Sequence, residues 1–104
     1  MDALPNEPKR FRGLPRQTLL GFTVPVATTR LARVLGLAHL DREDAGEGLL
    51  IPRCRRVHTY GMRFHLDLVF LGEDERVVDL RRSVPPGESV RCSEAVAVLE
   101  LPSP

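Results

Sequence analysis

A regular alternation of apolar and other side chains makes residues 63–71 the clearest element of the chain. The even positions of this segment are all apolar. The odd positions begin with three polar or charged side chains and end with two apolar ones. Because successive side chains of a strand point to opposite faces, the pattern predicts a β-strand with one face buried throughout. We expect the core to contain Leu66, Leu68 and Phe70, and the solvent-facing side to contain Arg63 and His65.

Residues 18–27 show the same period of two and predict a first, half-buried strand. Pro25 has no N–H to donate to a neighbouring strand, so this strand should lie at an edge or end near there. Thr28 and Thr29 are residue types that cap helices, apolar residues at helical spacing follow them, and Gly36 can end the helix. The pattern predicts one short helix over residues 29–37.

The rest of the chain divides into short strands and turns. It is predicted to contain a buried strand at 48–52, an irregular connector at 54–62, a hairpin loop at 72–75, a strand at 76–84, a turn at 85–88 and a final strand at 95–101. Together these elements predict a mostly β fold with a minor helical part. The expected architecture is a small half-open β-barrel of about five to six strands, with one short helix after the first strand. It should form a single domain over residues 18–104, preceded by a flexible tail over residues 1–17.

Composition and charge narrow the function classes. With 104 residues and 42% apolar content, the chain can bury a core without metals or disulfides. Its net charge of +1 creates no overall field that attracts nucleic acid or anionic lipid. The 5% aromatic content is low for a surface that stacks bases or sugars. We find no signal sequence and no run of about 18 apolar residues, and therefore expect a cytoplasmic protein without a membrane partner. In that compartment the two cysteines are expected to be thiols.

Three segments resemble a known family. Residues 27–30 leading to Gly36 and Leu37 resemble its strand-to-helix junction, residues 58–71 its central signature, and residues 95–102 its closing strand. The family is domain of unknown function 192, which comprises small β-rich proteins, and the resemblance covers about residues 19–102. It implies a fold but no activity, because the family has none assigned.

The chain departs from this family in two places. Members usually have a proline where this chain has His65, and they usually continue beyond the Glu-Leu-Pro of residues 100–102 with a glycine, a short helix and a last strand. Without that covering segment, an apolar face or strand edge should be open. We therefore expect either self-association or a groove beside the last strand, near residues 95–101.

Candidate binding residues are concentrated on the connector between the predicted strands. This group comprises Arg53, Cys54, Arg55, Arg56, His58, Tyr60 and Arg63, with Asp67 on the strand that follows. Binding groups are common on such connecting segments. Four arginines within eleven positions suit an acidic partner or a phosphate, although a short run of charge can also be a solvated face.

Catalytic and metal-binding interpretations of the same residues are weaker. Cys54, His58 and Asp67 could act as nucleophile, base and orienting carboxylate, with the flanking arginines lowering the thiol pKa. No sequence resembling an oxyanion loop accompanies them. A zinc site would need a close cysteine pair, which is missing, so we predict no metal and no cofactor. Asp67 between core leucines should instead accept N–H groups of residues 59–61 or pair with an arginine.

The sequence therefore favours a small non-catalytic binding or accessory module that uses residues 54–63. Its partner would be a protein or a small anionic ligand, and the protein would be a monomer or a weak homodimer. The first alternative is a small hydrolase or transferase that uses Cys54, His58 and Asp67. The second is a weak nucleic-acid binder, which its low aromatic content and net charge disfavour.

Overall fold

The computed structural model describes residues 7–104 and contains eight β-strands in that range. The strands are β1 (Arg16–Leu19), β2 (Phe22–Pro25), β3 (Leu49–Pro52), β4 (Arg56–His58), β5 (Leu66–Leu71), β6 (Val77–Val84), β7 (Ser89–Arg91) and β8 (Ala97–Pro102). β1 pairs with β2, β4 pairs with β7, and the other four form an antiparallel sheet in the order β3-β8-β5-β6. The sheets do not close into a barrel, and the fold is compatible with a half-open β structure.

The predicted helix is confirmed as α1 (Arg30–Leu35). The Thr29 side chain accepts a hydrogen bond from the Ala32 N–H at 3.1 Å and so satisfies one of the free donors of the first turn. Gly36 follows the last turn with a positive φ of 54°, a conformation that glycine adopts without steric cost. The residues at its two ends therefore allowed the position of this helix to be predicted from the sequence.

The segment predicted to be one strand at 18–27 is a hairpin instead. Leu20 and Gly21 both have positive φ and form its two-residue turn, and Leu19 lies opposite Phe22. Leu20 is 51% exposed, although its place in the alternation suggested a buried position. The prediction of one strand was wrong here, because the apolar but exposed Leu20 extends the even-numbered apolar positions of β2 back across the turn, whereas the buried position of β1 is Leu19.

Part of the segment expected to be a tail packs against the domain. Residues 1–6 of that predicted tail lie outside the described residues. Lys9–Phe11 forms a turn of 3₁₀ helix, and the Phe11 side chain is buried in the core. The Arg10 guanidinium donates to the carbonyls of Gly36 at 2.8 Å and Ala38 at 2.7 Å. The N-terminal segment is therefore fastened to the loop that follows α1.

The four-stranded sheet separates two apolar clusters. Leu66, Leu68 and Phe70 of β5 belong to the larger cluster, together with residues of α1 and β4. Val69 and Leu71 belong to the smaller one, which the β1–β2 hairpin covers. Every residue of β5 is buried, while Arg63 and His65 are exposed, as predicted.

The last strand is an interior strand of this sheet. β8 pairs with β3 on one side and with β5 on the other, so the opening expected beside residues 95–101 is not a strand edge. A broad concavity of about 520 Å³ adjoins Leu101 and Pro102 over a face of the sheet, near Val69 and Leu80. Self-association stays a prediction.

Candidate functional site

The predicted binding segment contains a short strand rather than an irregular connector. β4 occupies its middle and pairs with β7, with Val57 opposite Val90. The Arg33 side chain of α1 holds the start of the segment by donating to the carbonyls of Pro52 and Arg53, the latter at 3.0 Å. These contacts give the segment a fixed position against the helix.

Thr59 anchors the other end of the segment. Its side chain is fully buried, and its hydroxyl donates to the Pro85 carbonyl at 2.7 Å and accepts from the Glu88 N–H at 2.8 Å. The Thr59 N–H donates to the Glu88 carbonyl and its carbonyl accepts from the Gly87 N–H. This network fixes the 59–62 turn against the turn between β6 and β7, because buried polar groups are costly unless they are paired.

Four arginines line an open concavity on the outer side of this segment, which we call the arginine cleft. Its lining includes Arg53, Arg55 and Arg56 from the candidate segment and Arg91 from β7, with a volume of about 550 Å³. Within the described part of the chain, none of the four forms an ion pair with a carboxylate. Sequence reasoning missed Arg91, because only the β4–β7 pairing brings it to the cleft.

Cys54 also lines the arginine cleft, whereas His58, Tyr60 and Arg63 lie outside it. The His58 ring stacks on Tyr60 with 5.3 Å between ring centroids, and both side chains are exposed. Arg63 pairs with Asp41 at 2.9 Å, and both of these side chains are more than half exposed. Such an exposed pair contributes little to stability, so Arg63 is positioned as an ordinary surface residue.

Cys54 does not have the features of an activated nucleophile. It is half-buried, and its Sγ donates to the Arg56 carbonyl at 3.2 Å. Burial, with a smaller contribution from the charge of Glu100, raises the pKa of the thiol, although a hydrogen bond to the Arg56 backbone and the charge of Arg33 partly offset this. The expectation that the charges of the flanking arginines would lower the thiol pKa is corrected, because burial dominates and the arginine that acts on the thiol is Arg33 of α1.

Asp67 is separated from Cys54 and His58 by the direction of its side chain. In β5 it alternates with Leu66 and Leu68, whose side chains enter the larger cluster. Its carboxylate accepts from the Ser83 N–H at 2.9 Å and the Ser103 hydroxyl at 2.8 Å. The Arg82 guanidinium lies 3.8 Å away.

The donors to Asp67 therefore differ from the predicted ones of residues 59–61. The arrangement is that of a buried carboxylate held by structural partners. The structure does not bring Cys54, His58 and Asp67 together as a catalytic group. No cluster of three potential metal ligands occurs in residues 7–104.

Glu100 is the buried ionisable residue that sequence reasoning missed. It lies in the interior strand β8 with 3% of its surface exposed, and its Oε1 has no hydrogen-bond partner among residues 7–104. Burial raises the pKa of its carboxyl to about 7, although the Leu37 backbone N–H partly offsets this. A signal was present, since Glu100 shares its strand face with the buried Val98 and is the one charged residue of that strand.

Comparison with known proteins identifies the group to which this small β-rich domain belongs. The family model for DUF192, described as "Uncharacterized ACR", matches residues 12–103. The chain therefore belongs to the DUF192 family, whose function is uncharacterised. Comparison with curated proteins gives no match.

One solved structure shares the fold. It is the crystal structure of a protein of unknown function from Novosphingobium aromaticivorans, similar with a TM-score of 0.61 and 22% sequence identity. The alignment covers 78% of this chain and 64% of that protein's chain. At this identity the likeness concerns the fold alone. No helix within residues 7–104 has the length and apolar character needed to cross a membrane.

Proposed function

We propose that this protein is a small non-catalytic binding module that takes an anionic group of its partner into the arginine cleft. The observation that carries the proposal is the set of four arginines around one concavity with no carboxylate partners among the described residues. Guanidinium groups bind phosphate and carboxylate oxygens through paired N–H donors. Left unpaired on a surface, they are available for such a ligand.

Rigid placement of the backbone around the cleft supports the same function. The Cys92 N–H donates to the Arg55 carbonyl at 2.9 Å, and the Cys54 N–H donates to the Val96 carbonyl at 3.3 Å. Together with the β4–β7 pairing, these bonds fix the backbone that carries Arg55, Arg56 and Arg91. A preorganised site loses less conformational entropy on binding than a mobile one.

The size of the cleft favours a small anionic ligand or a single acidic side chain over a nucleic acid. A concavity of about 550 Å³ is within the range of small-molecule sites, roughly 300–1,000 Å³. A nucleic-acid strand would need a longer basic track and more stacking side chains than Tyr60 supplies. We propose a cytoplasmic location, which the two free thiols support.

Titration with pyrophosphate tests the proposal. We expect amide NMR shifts at residues 53–56 and 91, and at least a tenfold loss of affinity in the double variant Arg55→Glu, Arg56→Glu. The matched control, Arg12→Glu with Arg76→Glu, makes the same change of charge at two exposed positions outside the cleft. Equal losses in both double variants would show binding to overall charge alone and would contradict the proposal.

A salt series with a single-stranded oligonucleotide separates the nucleic-acid alternative. Oligonucleotide affinity that exceeds pyrophosphate affinity and falls steeply with salt would support that alternative and contradict a small-ligand site.

A further inference from the structure

A second, smaller cavity lies on the inner side of the candidate segment, between α1, β4 and β8. It has a volume of about 50 Å³, and Glu100 forms part of its wall. A space of this size holds roughly three water-sized groups. It shares Cys54 and Arg56 with the arginine cleft, but the inference drawn from it rests on Glu100, which does not line that cleft, and so does not depend on the proposed function.

Glu100 brings an unused hydrogen-bond acceptor to this cavity. The residue is 3% exposed and its Oε1 is unpartnered within the described part of the chain, whereas buried polar atoms are nearly always paired. Gly36 also lines the cavity, and a Cβ atom at that position would lie 3.0 Å from the same Oε1. Because Gly36 has no side chain, space remains beside Glu100 Oε1, and no group of the described residues fills that space.

The other wall residues limit the charge that a ligand can have. Arg33 of α1, and Arg56 and His58 of β4, carry or can acquire positive charge. Cys54 adds a thiol, and the rest of the lining is the Gly36 backbone and apolar side chains such as Ile51 and Val57. A cation would be repelled by the two guanidinium groups, and an anion would be repelled by ionised Glu100.

A neutral group that combines a donor with an acceptor meets both conditions. We propose that this cavity binds a carboxamide group, with its N–H donating to Glu100 Oε1 and its carbonyl oxygen facing the basic side of the cavity. The wall combines polar and apolar surface, which suits a small neutral polar group, and the three heavy atoms of a carboxamide match the available volume. A carboxamide N–H would also satisfy the acceptor that residues 7–104 leave without a partner.

Acetamide and acetone make a matched pair of probes for the unmodified protein. The two have the same number of heavy atoms and similar shapes, but only acetamide has an N–H donor. We expect acetamide to shift the amide resonances of Gly36 and Leu37, and acetone to bind at least tenfold more weakly. Methylammonium serves as the cationic probe and is expected to bind more weakly than acetamide.

The pH dependence of acetamide binding tests the role of Glu100 itself. Because its carboxyl has a pKa of about 7 and the ionised form accepts the N–H, affinity should rise about tenfold between pH 6 and pH 8. Arg33, Arg56, His58 and Cys54 face the same cavity, so Glu100→Gln is needed to assign the effect. Glu100→Gln should weaken acetamide binding and reduce the increase of affinity with pH. The control variant Glu73→Gln, on the loop after β5, should change neither the affinity nor its pH dependence.

Several outcomes would overturn the proposal. Equal binding of acetamide and acetone would remove the role of the N–H donor, and stronger binding of methylammonium would make the site a cation site. No shift at Gly36 and Leu37 with any probe would mean that the cavity holds only water. Should Glu100→Gln fail to fold, the probe comparison on the unmodified protein still decides the question. None of these results decides whether the arginine cleft binds pyrophosphate, because Glu100 does not line that cleft.

Discussion

Glu100→Gln should stabilise the protein at alkaline pH and remove part of its pH dependence. In the unfolded chain the carboxyl titrates near its ordinary pKa of 4.5, and in the folded protein burial raises the pKa to about 7. Between these values the folded state binds more protons than the unfolded state. Stability therefore falls as pH rises through this window, and the loss is complete above the folded pKa.

The size of this effect follows from the two pKa values. One pKa unit corresponds to about 1.4 kcal/mol, so a rise from 4.5 to about 7 costs about 3 kcal/mol above pH 8. About 2 kcal/mol of this change falls between pH 5.5 and 8.5. That is a large share of the roughly 5–15 kcal/mol by which folded domains are stable.

Urea unfolding followed by circular dichroism measures this difference, in reducing buffer because both cysteines are free. The free energy of unfolding of Glu100→Gln, minus that of the wild type, should increase by about 2 kcal/mol from pH 5.5 to 8.5. Glu73→Gln, at an exposed position, should show a constant difference near zero. If the wild-type and Glu100→Gln curves run parallel over this range, the buried carboxyl is stabilised by an interaction that the structure lacks, and the reasoning is refuted.

Three further predictions concern the core, the anchored turn and the thiol. In urea denaturation, Leu68→Ala should lower the free energy of unfolding by about 2–5 kcal/mol, because it removes a buried side chain. His65→Ala, at an exposed position, should lower it by less than about 1 kcal/mol. The reverse order would mean that the strand faces are inverted. Thr59→Val should cost about 1–3 kcal/mol, because it leaves the Glu88 N–H and the Pro85 carbonyl without their hydroxyl partner; unchanged stability by the same assay would contradict this. Cys54 should react slowly with iodoacetamide at pH 7 and faster as pH rises beyond 9, and rapid alkylation at neutral pH would contradict the raised thiol pKa.

Local patterns predicted the parts of the fold that local forces determine. The alternation of residues 66–71 identified the central strand, and Thr29 with Gly36 located the helix. The turn at Leu20 and Gly21 was missed, because Leu20 extends the run of apolar even positions although the inward-facing positions change from odd before the turn to even after it. β4 and β7 are hard to predict for a different reason. Each strand has only three residues, and the two strands that pair are distant in sequence.

The candidate site was predictable only where its residues adjoin one another in sequence. Arg53, Arg55 and Arg56 form a visible basic run, but Arg91 joins them through a strand pairing. Glu100 was overlooked because a single acid within a strand normally marks a solvent-facing position. Only the position of β8 between two other strands, beneath the loop after α1, makes it a buried group.

The interior position of β8 also constrains when the protein can fold during its synthesis. In the four-stranded sheet, β3 pairs with β8 alone, and Leu49 finds Glu100 about 50 residues later in the chain. β5 and β6 can form a hairpin as soon as they leave the ribosome, but β3 must wait for β8. Until then the apolar residues 49–51 have no partner in this sheet, and an exposed strand of this kind invites aggregation. The sheet is therefore completed only once β8 has been translated, and a nascent chain that stalls before residue 97 exposes a strand that chaperones can bind.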